Sequence, residues 1–508
     1  MTETLPLDGR SLSLEQFLAV VRGGCGVAIA PEAGQRVAAS RRVVERAVAQ
    51  GRPAYGITTG FGSLSDRTIP PAQARQLQLS LVRSHASGAG PALPLDVVRS
   101  LLLLRTNSLA RGHSGVRTEL LDALVALLNH HLTPFVPEQG SVGASGDLAP
   151  LAHLALALIG EGAFVDRDGH RRPAGEVLQA QGLPPIELQE KEGVSLINGT
   201  SLMTAYLALS VADTRALLDA ALVASALSFD ALLGGPEALD DRLGELRNLP
   251  EQRKVARSLR QLLAGSQLSA PRKEYRGQDP YTLRCLPQVF AATELALGFA
   301  DRVASLELNA VSDNPVIFEG DEFVNGGNFH GETLALALDT LAIAVQQIAG
   351  FSERRIARLV NPALNRGLPA FLAPQAGLSS GFMIPQYLAA ALVNEGQSLA
   401  HPASVASLPT SADQEDFVSM GAWAGAKLRR LLSNTSRVVG IEWIVAGQAL
   451  ELRRPAFGGS GSEAALRVLR SAVAPWGEDR SPAPDIEAAA QAVADGSWVA
   501  RVRAQTAF

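Results

Sequence analysis

The sequence predicts a mainly α protein, with a globular N-terminal part and a long helical bundle behind it. Three very long helical patterns carry that prediction, at about 286–311, 331–360 and 418–453. Val97 to Leu109 and Thr118 to Leu132 add shorter helices, their apolar residues recurring every three or four positions. Helices of the longest kind call for a bundle, here expected to be shared between subunits. The 508 residues exceed one ordinary core. By pattern they divide into residues 1–200, 201–455 and a closing segment, 456–508.

Composition narrows the class. Apolar residues make up 47% and charged ones 19%, enough for a large core. The net charge of −5 is spread over both signs along the chain, so neither nucleic acid nor a membrane surface is an expected partner. Cys25 and Cys285 are too few for a disulfide framework or a metal site, and read as buried small residues in a reducing compartment. Met1 to Asp8 has an early acid and no signal-peptide pattern. No apolar run reads as long enough to cross a bilayer; Ala216 to Leu233 comes closest, interrupted by Asp219 and Asp230. A cytoplasmic protein is the expectation.

Taken in order, the first fifty residues read as a small helical entry with a short strand at Val27-Ala28-Ile29-Ala30. Tyr55-Gly56-Ile57-Thr58-Thr59-Gly60-Phe61-Gly62 is too rich in glycine for a regular element and reads as a loop. A phosphate cradle would need a strand-to-helix setting and a lysine, and both are missing. A helical stretch from Gln73 leads to Ser84-His85, and Ala149 to Ile159 is apolar enough for a buried helix. Asp166 to His170 reads as a hairpin tip, and Asn198 as the residue that opens a helix running to about Leu233. Residues 265–280 read as a loop, Ser411 to Phe417 as the opening of the third long helix, and the chain after Gly461 as two short helices.

One stretch can do chemistry by itself. Ala144-Ser145-Gly146 sits in Gly140-Ser-Val-Gly-Ala-Ser-Gly-Asp-Leu-Ala-Pro150. In a tight bend the Gly146 nitrogen can attack the Ala144 carbonyl carbon, because Gly146 has no Cβ to keep it away. Loss of one water closes a five-membered ring. Loss of a second, from Ser145, leaves an exocyclic methylidene. The product, 4-methylideneimidazol-5-one, is an electrophile made without any external cofactor. The plainer reading of the tripeptide is a polar turn, with Asp147 capping the following helix.

The longer string, continued through Leu151-Ala152-His153, resembles the signature of the aromatic amino acid ammonia-lyase and aminomutase family. Six more segments agree in order and spacing: the Tyr55 to Gly62 loop, Ser84-His85, Leu196-Ile197-Asn198-Gly199-Thr200, Gln278-Asp279-Pro280-Tyr281-Thr282-Leu283-Arg284-Cys285, Gly327-Asn328-Phe329-His330 and Gln414-Glu415-Asp416. The resemblance covers about residues 50–455. It implies a fumarase/aspartase-like architecture and a homotetramer whose active sites draw on three subunits. It implies elimination of ammonia from an amino acid, with the methylidene capturing the amine and Tyr55 removing the β-proton. Tyr281 would lie near the reacting centre as a second group for proton handling. Arg284 would take the carboxylate, which a guanidinium grips with two parallel hydrogen bonds. Gln278 would lie nearby, Asn198 beside the electrophile, and Phe329 against the substrate.

His85 and Glu415 bear on the substrate. Both are polar where relatives using phenylalanine need apolar contacts, and the resemblance places both at the side-chain end. That favours L-histidine and the product trans-urocanate, since an imidazole is hydrogen-bonded at two nitrogens. A tyrosine or phenylalanine lyase or 2,3-aminomutase is the alternative within the family, and a scaffold with a dead site the alternative outside it. Taken singly, each residue has a plainer role: packed aromatics at Tyr55 and Phe329, a core histidine at His85, a helix cap at Asn198, a loop amide at Gln278, a surface ion pair at Arg284, and a solvated acid in a helix's first turn at Glu415. The chain departs from the family's histidine enzymes at Thr58, Leu286, Asp413 and Phe417. The remaining histidines lack partners at zinc-ligand spacing, and no metal is expected.

Overall fold

The computed structural model describes residues 4–166, 168–269 and 277–508. The sequence readings at Arg167 and residues 270–276 lie outside these. The chain forms two compact units, each assembled from three stretches: Met1–Leu209, Asp301–Leu338 and Ala403–Ala426 in the first, Ser210–Ala300, Asp339–Pro402 and Lys427–Phe508 in the second. The segments 1–200, 201–455 and 456–508 follow chain order instead. Four long helices, Ser201–Ala231, Leu286–Glu307, Glu332–Val360 and Gly421–Glu451, each contribute to both units.

The first unit is built on the helix Leu95–Ala110. Every residue from Val97 to Ala110 is buried, so this helix is a core element rather than an amphipathic one. Its two arginines are buried with it. Arg99 satisfies its guanidinium on the carbonyls of Val20, Val21 and Leu128, at the C-terminal ends of two neighbouring helices, where carbonyls lack helical partners. Short strands trim this unit. Leu5–Leu7 pairs in parallel with Val27–Ile29, and Ala89–Ala92 is antiparallel to Pro137–Gln139. Ala163–Val165 pairs with Arg171–Pro173, the predicted hairpin.

The second unit packs its parts of the long helices with Pro250–Leu262, Met383–Leu399 and three closing helices, Ser460–Arg470, Ala483–Ala494 and Ser497–Arg503. The sequence suggests only two closing helices; the short Ser497–Arg503 is fixed by the Trp498 ring, which meets Trp443 at 5.2 Å between centroids. At its centre Arg355 and Glu442 form a fully buried bidentate pair, with Ser228 donating to Glu442 at 2.6 Å.

Four sequence readings need correction. Glu332–Val360 is long and apolar enough to cross a membrane by length and composition, and 67% of its apolar window is buried inside the fold. Both cysteines are half-buried rather than buried. Asn198 does not open a helix: it ends the short helix Glu192–Ile197, and the long helix begins at Ser201. Ser411 to Phe417 is not helical either. Ser411, Ala412 and Asp413 stand in the left-handed region, and the helix starts only at Gly421.

Candidate active site

The Ala-Ser-Gly turn is bent as its composition allows. Ser145 has φ of 49° and Gly146 of 80°. A non-glycine residue in the left-handed region costs of order 1 kcal/mol or more, so the surroundings must hold it there. They do so through Gly199. Gly146 forms an isolated parallel bridge with Gly199, and the Asp147 amide donates to the Gly199 carbonyl at 2.7 Å. A Cβ on Gly146 would run into that same carbonyl.

Asp147 adds a second clamp. It precedes the helix Leu148–Leu158 but makes no side-chain cap to it. Its carboxylate instead accepts from the amides of Leu202 at 2.7 Å and Met203 at 3.1 Å, at the start of a different helix. Burial pushes this carboxyl up to about 7, although those two donors and the Ser141 hydroxyl pull the other way. The expected local cap is therefore a long-range tie.

Asn198 is delivered by a rigid pedestal. Glu190, Lys191 and Glu192 are consecutive, and each is paired: Glu190 with Arg41 at 3.0 Å, Lys191 with Asp313 at 2.9 Å, and Glu192 with Arg117 at 2.9 Å. The Asn198 side-chain nitrogen donates to the Asn314 carbonyl at 3.0 Å, while its side-chain oxygen is buried and has no partner among the described residues. An orphan acceptor of this kind marks a place where a donor is missing.

Glu415 meets the turn directly. The Ser145 hydroxyl donates to Glu415 Oε1 at 3.1 Å, and the Thr410 hydroxyl donates to Oε2 at 2.8 Å. Main-chain bonds between Thr410 and Glu415 close the loop that presents the acid. His85 ends the helix Ala74–His85 and donates from Nδ1 to the Leu81 carbonyl at 2.9 Å. Burial pushes its imidazole below the usual value, against the pull of the Leu81 carbonyl and the Glu415 charge. Tyr55 is half-buried, and its phenol oxygen accepts from the Gly62 amide at 3.0 Å. Its loop is stapled by Thr58, whose hydroxyl donates to the Arg52 carbonyl and accepts from the Ala54 amide. Phe329 is half-buried beside His330, whose Nε2 donates to the Phe417 carbonyl at 3.1 Å and whose ring stacks on the Phe417 ring.

The second unit carries Gln278, Tyr281 and Arg284. Gln278 and Tyr281 are exposed. Arg284 lies with its guanidinium 4.7 Å from the Tyr281 ring centre, and its Nε is buried without a partner among the described residues. The neighbouring Asp279 anchors the segment by accepting from the Gly235 amide and from Arg366. At the hairpin tip Asp166, Asp168 and His170 bring three potential ligand atoms within 4.8 Å. Sequence spacing overlooks this group, in which Asp166 Oδ1 already accepts the amides of Asp168 and His170.

The departures have local reasons. Asp413 has φ of 63°, a conformation that Asn and Asp tolerate better than other side chains. Leu286 is fully buried at the start of its helix, and Phe417 stacks on His330. Reasoning from sequence missed Thr410, the target of Asp147, and Arg105. A lone charge inside Leu101-Leu102-Leu103-Leu104-Arg105 is the signal that could have found the last.

The helical architecture is of the fumarase/aspartase-like class, and the family match makes the chain a carbon–nitrogen lyase. The chain belongs to the aromatic amino acid lyase family, which matches it over residues 12–471. It is 51% identical over 497 residues to a histidine ammonia-lyase of Symbiobacterium thermophilum, covering 98% of each chain. Among solved structures, a histidine ammonia-lyase from Trypanosoma cruzi superposes with a TM-score of 0.91 at 39% identity, over 99% of this chain and 95% of that one. A tyrosine aminomutase from Streptomyces globisporus superposes with a TM-score of 0.94 at 36% identity, over 100% and 99%.

Proposed function

We propose that this enzyme eliminates ammonia from L-histidine to give trans-urocanate. The contact between Ser145 and Glu415 carries the reading: it sets a carboxylate, rather than an amide or an apolar group, beside the electrophilic turn. The similarity to histidine ammonia-lyases over nearly the whole chain supports it.

The residues fit a 4-methylideneimidazol-5-one formed from Ala144, Ser145 and Gly146. The turn is left-handed at Ser145, Gly146 has no room for a side chain, and the orphan oxygen of Asn198 awaits a donor. When formed, the group supplies an electrophile that turns the substrate amine into a better leaving group. The chain's own residues do the rest. Tyr55 takes the β-proton, and the Gly62 amide steadies the phenol oxygen where that proton must arrive. Arg284 binds the carboxylate with its Nε, which has no partner among the described residues, beside Gln278. Tyr281 shares the proton handling, Asn198 orients the amine end, and Phe329 packs on the substrate. Loss of the Ser145 hydroxyl frees Glu415 Oε1 for a substrate N–H, while Thr410 keeps Oε2 in place. A neutral His85, with Nδ1 tied to Leu81, presents Nε2 as an acceptor, so that Glu415 and His85 together receive the two N–H groups of an imidazolium side chain.

A homotetramer in the cytoplasm, with active sites shared between subunits, completes the proposal. Association between subunits is supported by large apolar residues left exposed at four- and seven-residue spacing, Leu295, Phe299 and Leu306 on one long helix and Leu336 and Ile343 on another. Incubation with L-histidine, L-tyrosine and L-phenylalanine tests the substrate through the distinct absorbance of each conjugated product. Urocanate alone is expected. Coumarate or cinnamate without urocanate refutes the assignment, and a β-amino acid product points to a mutase.

A further inference from the structure

Arg105 is fully buried in the apolar helix Leu95–Ala110 and takes no part in the mechanism above. Its Nη1 donates to the Asn198 carbonyl at 2.9 Å. Its Nε and Nη2 are buried without hydrogen-bond partners among the described residues. Asp313 is the nearby anion, but its carboxylate also serves Lys191, so two buried cations share one acid. Leaving donors of a buried cation unmade is costly, and stability alone gives no reason to keep a guanidinium here.

Its position gives one. A Cβ on Gly199 would collide with Arg105 Nη1, and a Cβ on Gly146 would collide with the Gly199 carbonyl. The guanidinium, the 198–199 peptide and Gly146 are therefore stacked in contact, with the Asp147 amide bonded to the Gly199 carbonyl at 2.7 Å. Arg105 forms the floor of that stack and pins it through the Asn198 carbonyl.

We infer that Arg105 is a positioning residue for ring formation, holding the 198–199 peptide so that Gly146 stays pressed into the turn. The inference rests on the proposed cyclisation. In that step the Gly146 nitrogen bonds to the Ala144 carbonyl carbon, and the carbonyl oxygen leaves as water with the amide protons of Ser145 and Gly146. The Ser145 hydroxyl leaves as a second water with the Ser145 Cα proton. No oxidant or co-reactant is needed. Relaxing the floor lets Gly146 retreat, and small losses of alignment slow intramolecular reactions steeply.

Intact-mass spectrometry of the purified chain, followed during incubation, tests the inference alongside helix content by circular dichroism and elution volume. The parent chain is expected to lack the mass of two waters. Arg105→Met is expected to lose that mass at least about tenfold more slowly, with unchanged helix content and elution. Arg105→Lys, which keeps the charge but not the planar fork, is expected to fall between. Should Arg105→Met fail to fold, Arg105→Lys decides: slower dehydration at parental helix content supports the role. Parental dehydration in a folded variant overturns it. A parent chain that retains both waters removes the cyclisation itself, and this inference with it.

Discussion

Ser145 and Glu415, 270 positions apart in the chain, are joined by a hydrogen bond of 3.1 Å from the serine hydroxyl to the carboxylate. The acid thus sits beside the Ala-Ser-Gly turn. Ser145→Ala removes both the hydroxyl that must leave and the donor to Glu415. Deamination should fall by at least about 10³-fold with the assembly intact. Turnover at the parental rate in this variant ends the electrophile reading.

Glu415→Leu should cost about 10²-fold or more in kcat/KM for L-histidine, because a buried imidazole N–H is left without an acceptor. Discrimination against tyrosine and phenylalanine should shrink in parallel. Steady-state kinetics with the three amino acids measures both, and an unchanged preference argues that Glu415 does not read the side chain.

Tyr55→Phe keeps the ring that meets Phe61 edge-on at 6.3 Å and deletes only the phenol oxygen held by Gly62. The expected result is a drop in kcat of about 10²–10⁴-fold with KM nearly unchanged. A rise in KM at constant kcat makes Tyr55 a binding residue instead.

Asp147 gives a pH dependence with a definite sign. Its carboxyl titrates near 3.8 when unfolded and at about 7 in the native chain. Between those values the native state keeps a proton that the unfolded chain has lost, so raising the pH lowers stability, by up to about 1.4 kcal/mol per unit. Below the lower value and above the higher one this contribution is flat. Asp147→Asn should abolish that slope in melting temperature against pH. Parallel profiles for the parent and the variant contradict the assignment.

Lys191→Met strands Asp313 in a site where both partners are wholly buried. Breaking such a pair costs about 3–5 kcal/mol. The melting temperature should fall clearly, and adding Asp313→Leu should not recover the loss, because buried Arg105 then has no anion beside it. A neutral single variant shows the pair to be dispensable.

The residues proposed to do chemistry were legible because chemistry restricts type and order. Ser145 needs small neighbours, and Glu415 and His85 stand out as polar residues in segments of recognisable spacing. What supports them was not legible. Asp147 reads as a cap for the helix beside it and serves one that starts more than fifty residues later. Ser411 to Phe417 reads as a helix opening and is a loop, left-handed at Ser411, Ala412 and Asp413 and tied at Thr410.

The sequence by itself determined the helical class, the long helices and the Ala-Ser-Gly order on which the proposed electrophile rests, since periodicity and residue order are local properties of the chain. Only the tertiary structure decided which groups press on that turn. Arg105, Gly199, Asp147 and Glu415 act through burial and through contacts between distant segments, and neither has any counterpart in linear spacing.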